Sequence, residues 1–267
     1  MLKELKYKLS STDVDIDWSF AYNSANLIKE MVRTGLGEMD IETTTFNATY
    51  DGTTLKSVTV STNGSDNSTA TYSTLGNTTT IELDSVALSR TDKEPMQTQL
   101  YSSSGLVAKE IKRKIIIVFA GNNPKEMTIL NATESGKFEN FMKATYSITS
   151  VKTLITVSLW NNGTQKFVFS RSVQFSKFDT SNTSNSPIVN QKNLFLILSA
   201  SPTPDPEGVI LPEAYAFNVK NYKNRLYKQA GFLLNEDYRN VVQSKLLVRR
   251  DVLKPTDSSK LKIFYKY

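Results

Sequence analysis

The chain has 267 residues and a net charge of +6, and it contains neither histidine nor cysteine. Those two absences exclude Ser-His-Asp and Cys-His catalysis, together with zinc, copper, haem-histidine and iron–sulfur sites, because the side chains such chemistry needs are missing. Serine, threonine and asparagine make up roughly 30% of the residues, well above ordinary usage, and they suit turns and the solvent faces of strands.

The longest apolar run, Ile115–Ala120, is the length of a strand and too short for a membrane-crossing helix. Met1–Phe20 carries lysines but no apolar stretch of the kind a secretory leader has. Seven Asn-x-Ser/Thr sequons, at Asn47, Asn63, Asn67, Asn77, Asn131, Asn162 and Asn182, read as chance in a chain this rich in those residues. Charge is unevenly placed. Residues 1–213 carry 20 basic and 22 acidic residues, whereas 214–267 carry 12 basic and 4 acidic, so one end of the chain is suited to an acidic surface.

In chain order, Leu5, Tyr7 and Leu9 alternate with charged residues and predict a first strand, and Val14–Trp18 predicts a second. A helix is expected next: Asn23 or Ser24 as its cap, Ala25, Ile28, Met31 and Val32 on one face, and Gly35 as its stop. From Ile41 to Leu88 the pattern is one of hairpins. Asp51-Gly52 is a favoured turn pair, Asn63-Gly64 opens a polar loop to Thr69, and Gly76-Asn77 centres a further hairpin over Ala70–Leu83. Residues 90–105 read as a surface loop. Lys109–Ala120 predicts a strongly apolar strand closed by Gly121-Asn122-Asn123-Pro124, and Glu134–Lys143 a short helix. Thr153–Trp160 and Lys166–Phe178 form the strongest hairpin, with a break near Arg171 that reads as a bulge. Asp179–Pro187 is a polar loop, Leu194–Leu198 a buried strand, and Pro202–Pro206 a stiff connector. Tyr215–Lys228 and Asp237–Val248 are partly helical in pattern, and Lys260–Tyr267 alternates as a last strand.

Three features invite a functional reading. Asp13, Asp15 and Asp17 resemble the start of a calcium loop, but Trp18 and Ser24 stand where an EF-hand needs glycine and glutamate, so a half-buried strand is preferred. Lys109, Lys112, Arg113 and Lys114 form a dense basic run that reads as the solvated opening of a strand. The C-terminal segment interleaves Lys220, Lys223, Arg225, Lys228, Arg239, Arg249 and Arg250 with Tyr222 and Tyr227, a composition used at protein interfaces and against nucleic-acid backbones. No catalytic, cofactor or metal site is expected.

The reading that follows is a mainly β chain, an antiparallel β-sandwich or jelly roll with one or two short helices. Residues 1–178 form a hairpin-rich body with an N-terminal helix, and 179–267 a basic, aromatic-rich segment. Composition points to a non-enzymatic structural subunit of a virion (a bacteriophage or other viral capsid, neck or tail), made in the host cytoplasm. Its partners would be copies of itself or other virion subunits, and possibly packaged nucleic acid, with no membrane span. The alternatives are a carbohydrate-binding or adhesin-like sandwich and, last, a carboxylate-based hydrolase.

Overall fold

The computed structural model describes residues 1–9, 15–36, 41–87, 110–178, 191–200, 222–243, 246–253 and 261–267. The expected loops at 90–105 and 179–187, the connector Pro202–Pro206, and Asp13, Lys109 and Lys220 lie outside these residues. Sixteen strands and one helix are present: β1 (Glu4–Leu9), β2 (Asp15–Tyr22), β3 (Ile28–Leu36), β4 (Ile41–Asp51), β5 (Thr54–Thr62), β6 (Ser65–Leu75), β7 (Thr78–Ala87), β8 (Glu110–Ala120), β9 (Asn123–Ala132), β10 (Phe138–Ile148), β11 (Lys152–Asn161), β12 (Lys166–Phe178), α1 (Gln191–Leu198), β13 (Tyr222–Gln229), β14 (Phe232–Gln243), β15 (Leu246–Leu253) and β16 (Leu261–Lys266).

Every strand pairs antiparallel with its neighbour in sequence, and β1 pairs with β16, so the sheet closes into a sixteen-strand barrel. The seam is continuous from Glu4 opposite Lys266 to Leu9 opposite Leu261. Lys266 Nζ lies 2.7 Å from Glu4 Oε1 across it. Closure leaves no strand edge unpaired. The expected sandwich or jelly roll is therefore wrong. Hairpins and turn signals are common to both architectures; what separates them is a pairing between residues some 260 positions apart, which leaves no local mark in a sequence.

Strand alternation sorts the side chains into two walls. On β5, Leu55, Val58 and Val60 are buried inward while Lys56 and Thr59 face out. On β9 the inward set is Pro124, Met127, Ile129 and Asn131. The outward positions of β4 are Thr43, Thr45, Asn47 and Thr49, and those of β6 are Thr69, Thr71 and Ser73. Hydroxyls meet across this outer wall, as in Thr49 Oγ1 to Ser57 Oγ at 2.6 Å. A round barrel of sixteen strands leaves an aqueous bore. Here inward aromatic and aliphatic side chains, Trp18, Phe46 and Phe175 among them, fill it and form one core with α1.

The turns bear out the expected hairpins. Gly76, expected at the centre of a hairpin turn, has a φ of 58°. The polar loop expected from Asn63 to Thr69 is instead a tight turn: Asn63 and Gly64 have φ of 50° and 83°, the paired positive values of an Asn-Gly hairpin, and β6 begins at Ser65. The expected bulge in β12 is also present: Val157 faces Arg171 and Ser158 faces Phe169, leaving Ser170 without a partner position.

The expected N-terminal helix is strand β3, the helix expected over Glu134–Lys143 is a turn leading into β10, and bulges explain both misreadings. In β3 the pairing jumps from Tyr22–Ile28 to Ala21–Glu30. The extra residue, Lys29, puts Ile28 and Met31 on one face at a spacing of three, which imitates a helix. Phe141 does the same in β10 between Asn140 and Met142. Asn23, expected as a helix cap, accepts hydrogen bonds from the Ala25 and Leu27 amides at 3.0 Å each and so shapes the β2–β3 turn. Of the partly helical segments Tyr215–Lys228 and Asp237–Val248, for which strands are the other possibility, the described residues belong to β13, β14 and β15.

The reverse error occurs at Leu194–Leu198, expected as a strand and found as the last turns of α1. This segment lies inside the barrel and pairs with no strand. A lone strand there would bury unpaired amides and carbonyls, whereas a helix satisfies its own. Ser199 N and Ala200 N bond back to Phe195 O and Ile197 O, and Tyr72 OH donates to Leu196 O at 2.8 Å, so the carbonyls at the helix end are also met.

Phe195 is fully buried and meets Phe119 and Tyr146 edge-to-face, with centroids 6.3 and 5.9 Å away. Phe195→Ala is expected to lower stability by about 3–5 kcal/mol, read as a reduced denaturant midpoint, and Phe195→Leu by clearly less. Equal midpoints for Phe195→Ala and the parent would show that α1 does not pack in the lumen.

Candidate functional site: the filled lumen

The barrel has two ends. β1 starts at the lower end, where the turns at 23–27, 76–77 and 121–122 lie, and the turns at 63–64, 133–137 and 230–231 are at the upper end. α1 occupies the lower half. Tyr50, Tyr72, Phe119 and Tyr146, all near the lower ends of their strands, surround it. Lys192 Nζ stands 4.4 Å from the Phe119 ring centroid. Burial pushes the Tyr50 hydroxyl up to about 12, against a lowering hydrogen bond with Asn193. Tyr72 rises well above its ordinary value, through burial first and nearby Tyr50 second. Both hydroxyls therefore keep their protons at neutral pH, and Tyr72 remains a donor to the helix.

The upper half of the lumen is polar, and its cations are arginines. Arg113 on β8 is 1% exposed and Arg250 on β15 is 0% exposed. These strands are seven apart in a ring of sixteen, so the two guanidinium groups rise from nearly opposite walls. Their settings match. Arg113 Nε donates to Asn131 Oδ1 at 2.9 Å, and its guanidinium carbon is 5.7 Å from the Phe141 ring centroid. Arg250 Nε donates to Asn240 Oδ1 at 2.8 Å, and its guanidinium carbon is 5.7 Å from the Tyr238 centroid. In each case the asparagine is directly opposite the arginine on the neighbouring strand. Beside Arg250, Glu236 Oε2 accepts from Tyr238 OH at 2.7 Å and from Arg225 Nη1 at 3.3 Å. Planar, charge-assisted bonding of this kind is what permits an ionised side chain to be held out of water.

The sequence singled out part of this group and misassigned the rest. Of the C-terminal candidates, Arg225, Tyr227 and Arg250 point inward, while Lys228, Arg239 and Arg249 lie on the outer wall, where Arg249 Nε is 2.9 Å from Asp251 Oδ1. Lys223 is exposed, and Tyr222 opens β13. Alternation thus divides the segment between two walls, so it does not form one basic face. Arg113, expected as part of a solvated strand opening, is instead deep in the lumen. The signal was available: Ile111, Arg113, Ile115, Ile117 and Phe119 share one parity. Asn131, Glu236 and Asn240 carried no signal, because only strand pairing reveals them as partners. Asp17 is on the outer wall, with Oδ2 3.0 Å from Lys6 Nζ. Among the described residues no group of three acidic side chains is arranged to hold a metal ion.

No family model matches the chain, and no curated protein matches it. Among solved structures, the fold is similar to that of a porin-like protein from Bacteroides vulgatus, with a TM-score of 0.50 and 10% identity over 100% of this chain and 98% of that one. At that identity the likeness concerns fold alone. The virion reading rested on composition, a hydroxyl-rich β body joined to a basic, aromatic C-terminal segment, and that segment proves to be strands of the same closed barrel, divided between its two walls. Capsid, neck or tail assignment and virion localisation are corrected accordingly: the fold is a closed sixteen-strand antiparallel barrel, similar to that of a porin-like protein.

Removing one member of a buried ion pair strands the other. Glu236→Ala is expected to cost about 3–5 kcal/mol, whereas the double change Arg225→Met with Glu236→Leu recovers most of it. Denaturant unfolding of the two single variants and the double variant checks this; additive losses would show that the pair is not coupled.

Proposed function

We propose that this chain is a non-conducting barrel of porin-like fold, with its lumen blocked and its outer wall facing water, that acts by binding at its surface. The observation that carries the reading is the direction of the strand alternation. A barrel embedded in lipid turns an apolar band outward and polar side chains inward. Here the core is inside, and ion pairs stand on the outer wall: Lys114 with Glu82 and Lys143 with Glu126, each at 2.9 Å. A lysine facing lipid at mid-depth costs about 2–4 kcal/mol, and the threonine- and serine-lined wall of β4–β6 offers no apolar band in return. Outward apolar side chains, among them Val32, Ile116, Val118, Leu130, Leu154, Val241 and Phe264, are interleaved with these charged and hydroxyl positions and do not join into a continuous band.

A second reading is favoured by the topology: an even number of antiparallel strands closed first to last, as in the porin-like neighbour. It makes the chain an outer-membrane barrel held shut by α1. That no helix among the described residues is long and apolar enough to cross a membrane leaves this reading untouched, because barrels cross with strands.

Refolding decides between them. The water-facing barrel is expected to be a folded, monodisperse species in detergent-free buffer and to give no conductance steps in a planar bilayer. Folding only in micelles, or stepwise conductance, would establish the outer-membrane reading in its place.

A further inference from the structure

Four large apolar side chains at the upper end are left out of the core. Val168 is 49% exposed, Phe169 51%, Phe232 55% and Leu233 65%. They lie at the tips of two neighbouring hairpins, β11–β12 and β13–β14; by strand pairing Val168 and Phe232 take the lumen side of the rim and Phe169 and Leu233 its outer side. Below them Arg171 pairs with Gln229, which binds one hairpin to the other. Two ring contacts brace the group: Trp160 with Phe167 at 4.9 Å, and Tyr227 with Phe232 at 6.0 Å. Trp160 Nε1 donates to Asn162 Oδ1 at 3.0 Å, which satisfies the polar edge of the indole within the turn.

The bulge at Ser170 produces this exposure. Arg171, Val173 and Phe175 alternate inward along β12. In unbroken register Phe169 would follow them into the lumen. The extra residue reverses the parity, so Phe169 pairs with outward-facing Ser158. The chain thus turns a phenylalanine out of an available core and into water. The two hairpin segments themselves carry charge of one sign, while Glu134 and Glu139 stand at the upper end of the adjoining β9–β10 hairpin. Residues 160–171 and 226–234 contain Lys166, Arg171 and Lys228 and no carboxylate, and both lysines are exposed.

Aromatic and aliphatic tips backed by lysines have the composition that settles at the headgroup level of a bilayer, with rings at the acyl boundary and ammonium groups at the phosphates. We propose that the β11–β14 rim docks this barrel on an anionic lipid surface, with Phe169, Phe232 and Leu233 entering the headgroup region and Lys166 and Lys228 meeting lipid phosphate. The inference rests on the water-facing reading: the barrel stands on the membrane by its rim and does not cross it.

Vesicle flotation of the full chain tests it, with phosphatidylcholine vesicles compared with vesicles containing about a quarter phosphatidylglycerol. The expected result is flotation with the anionic vesicles alone, release by about 1 M salt, and a blue shift of tryptophan emission that Trp160→Phe abolishes, since Trp18 is buried in the core. Phe169→Ser with Leu233→Ser, and separately Lys166→Glu with Lys228→Glu, should each weaken binding about tenfold or more while leaving the circular dichroism spectrum unchanged. Absence of flotation, or flotation that ignores both pairs of changes, overturns the docking proposal and leaves the water-facing reading intact. Self-association of the parent that Phe169→Ser with Leu233→Ser removes also overturns it, by identifying the rim as a protein interface. Vesicle-bound protein that resists salt and conducts ions overturns the water-facing reading itself.

Discussion

The pairing of β1 with β16 is the constraint on which the rest of the molecule depends. Sixteen antiparallel strands left open would present two edges, and their apolar face would need a second layer to cover it. Closure removes both edges and makes the sheet its own second layer, with opposite walls and α1 burying one another. The register at the seam, Leu5 opposite Tyr265, keeps both residues in the core. A slip of one residue would turn either strand's apolar set to solvent, so the seam fixes which wall is inside for the whole ring.

With that direction set, the polar groups in the lumen become intelligible. Arg113 and Arg250 are shut away from bulk water, and each is held by an asparagine of the adjacent strand, Asn131 and Asn240; the partly exposed Arg225 bonds Glu236 across the β13–β14 pair. Such arrangements add little net stability compared with well-packed apolar residues. Their stronger effect is on specificity, because a register in which Arg113 lost Asn131 would bury a charge without its partner. The lower half is ordered by other means: Phe195, Phe119 and Tyr146 in edge-to-face contact, with the Tyr72 hydroxyl on the helix carbonyl.

What could be read from the sequence follows from the range of each signal. Hairpins were legible because a turn such as Gly76-Asn77 and its flanking alternation lie within a dozen residues. The β12 bulge was legible because the spacing around Arg171 breaks locally. Lys29 and Phe141 defeated the reading, because one inserted residue changes a spacing of two into a spacing of three, and periodicity alone cannot distinguish a bulged strand from a helix turn. Leu194–Leu198 failed for a different reason: a short apolar run is equally at home in a buried strand or a buried helix, and only its isolation inside the lumen selects the helix. The candidate residues at Arg225 and Arg250 were found through their composition, whereas their partners could be recognised only once the strands were in register.

The placement of α1 bears on the order in which the chain can assemble. The helix belongs to the stretch between β12 and β13, two strands that are hydrogen-bonded neighbours in the wall, yet it ends inside the ring that those strands help to enclose. A ring completed beforehand would have to admit the helix through one of its mouths. Wrapping the sheet around a helix already lodged against Phe119 and Tyr146 avoids that passage. The seam between residues 4 and 266 then forms last, as the contact with the greatest separation along the chain and the slowest to find. The helix acts in that sequence as a mandrel, setting the girth to which the ring is drawn shut.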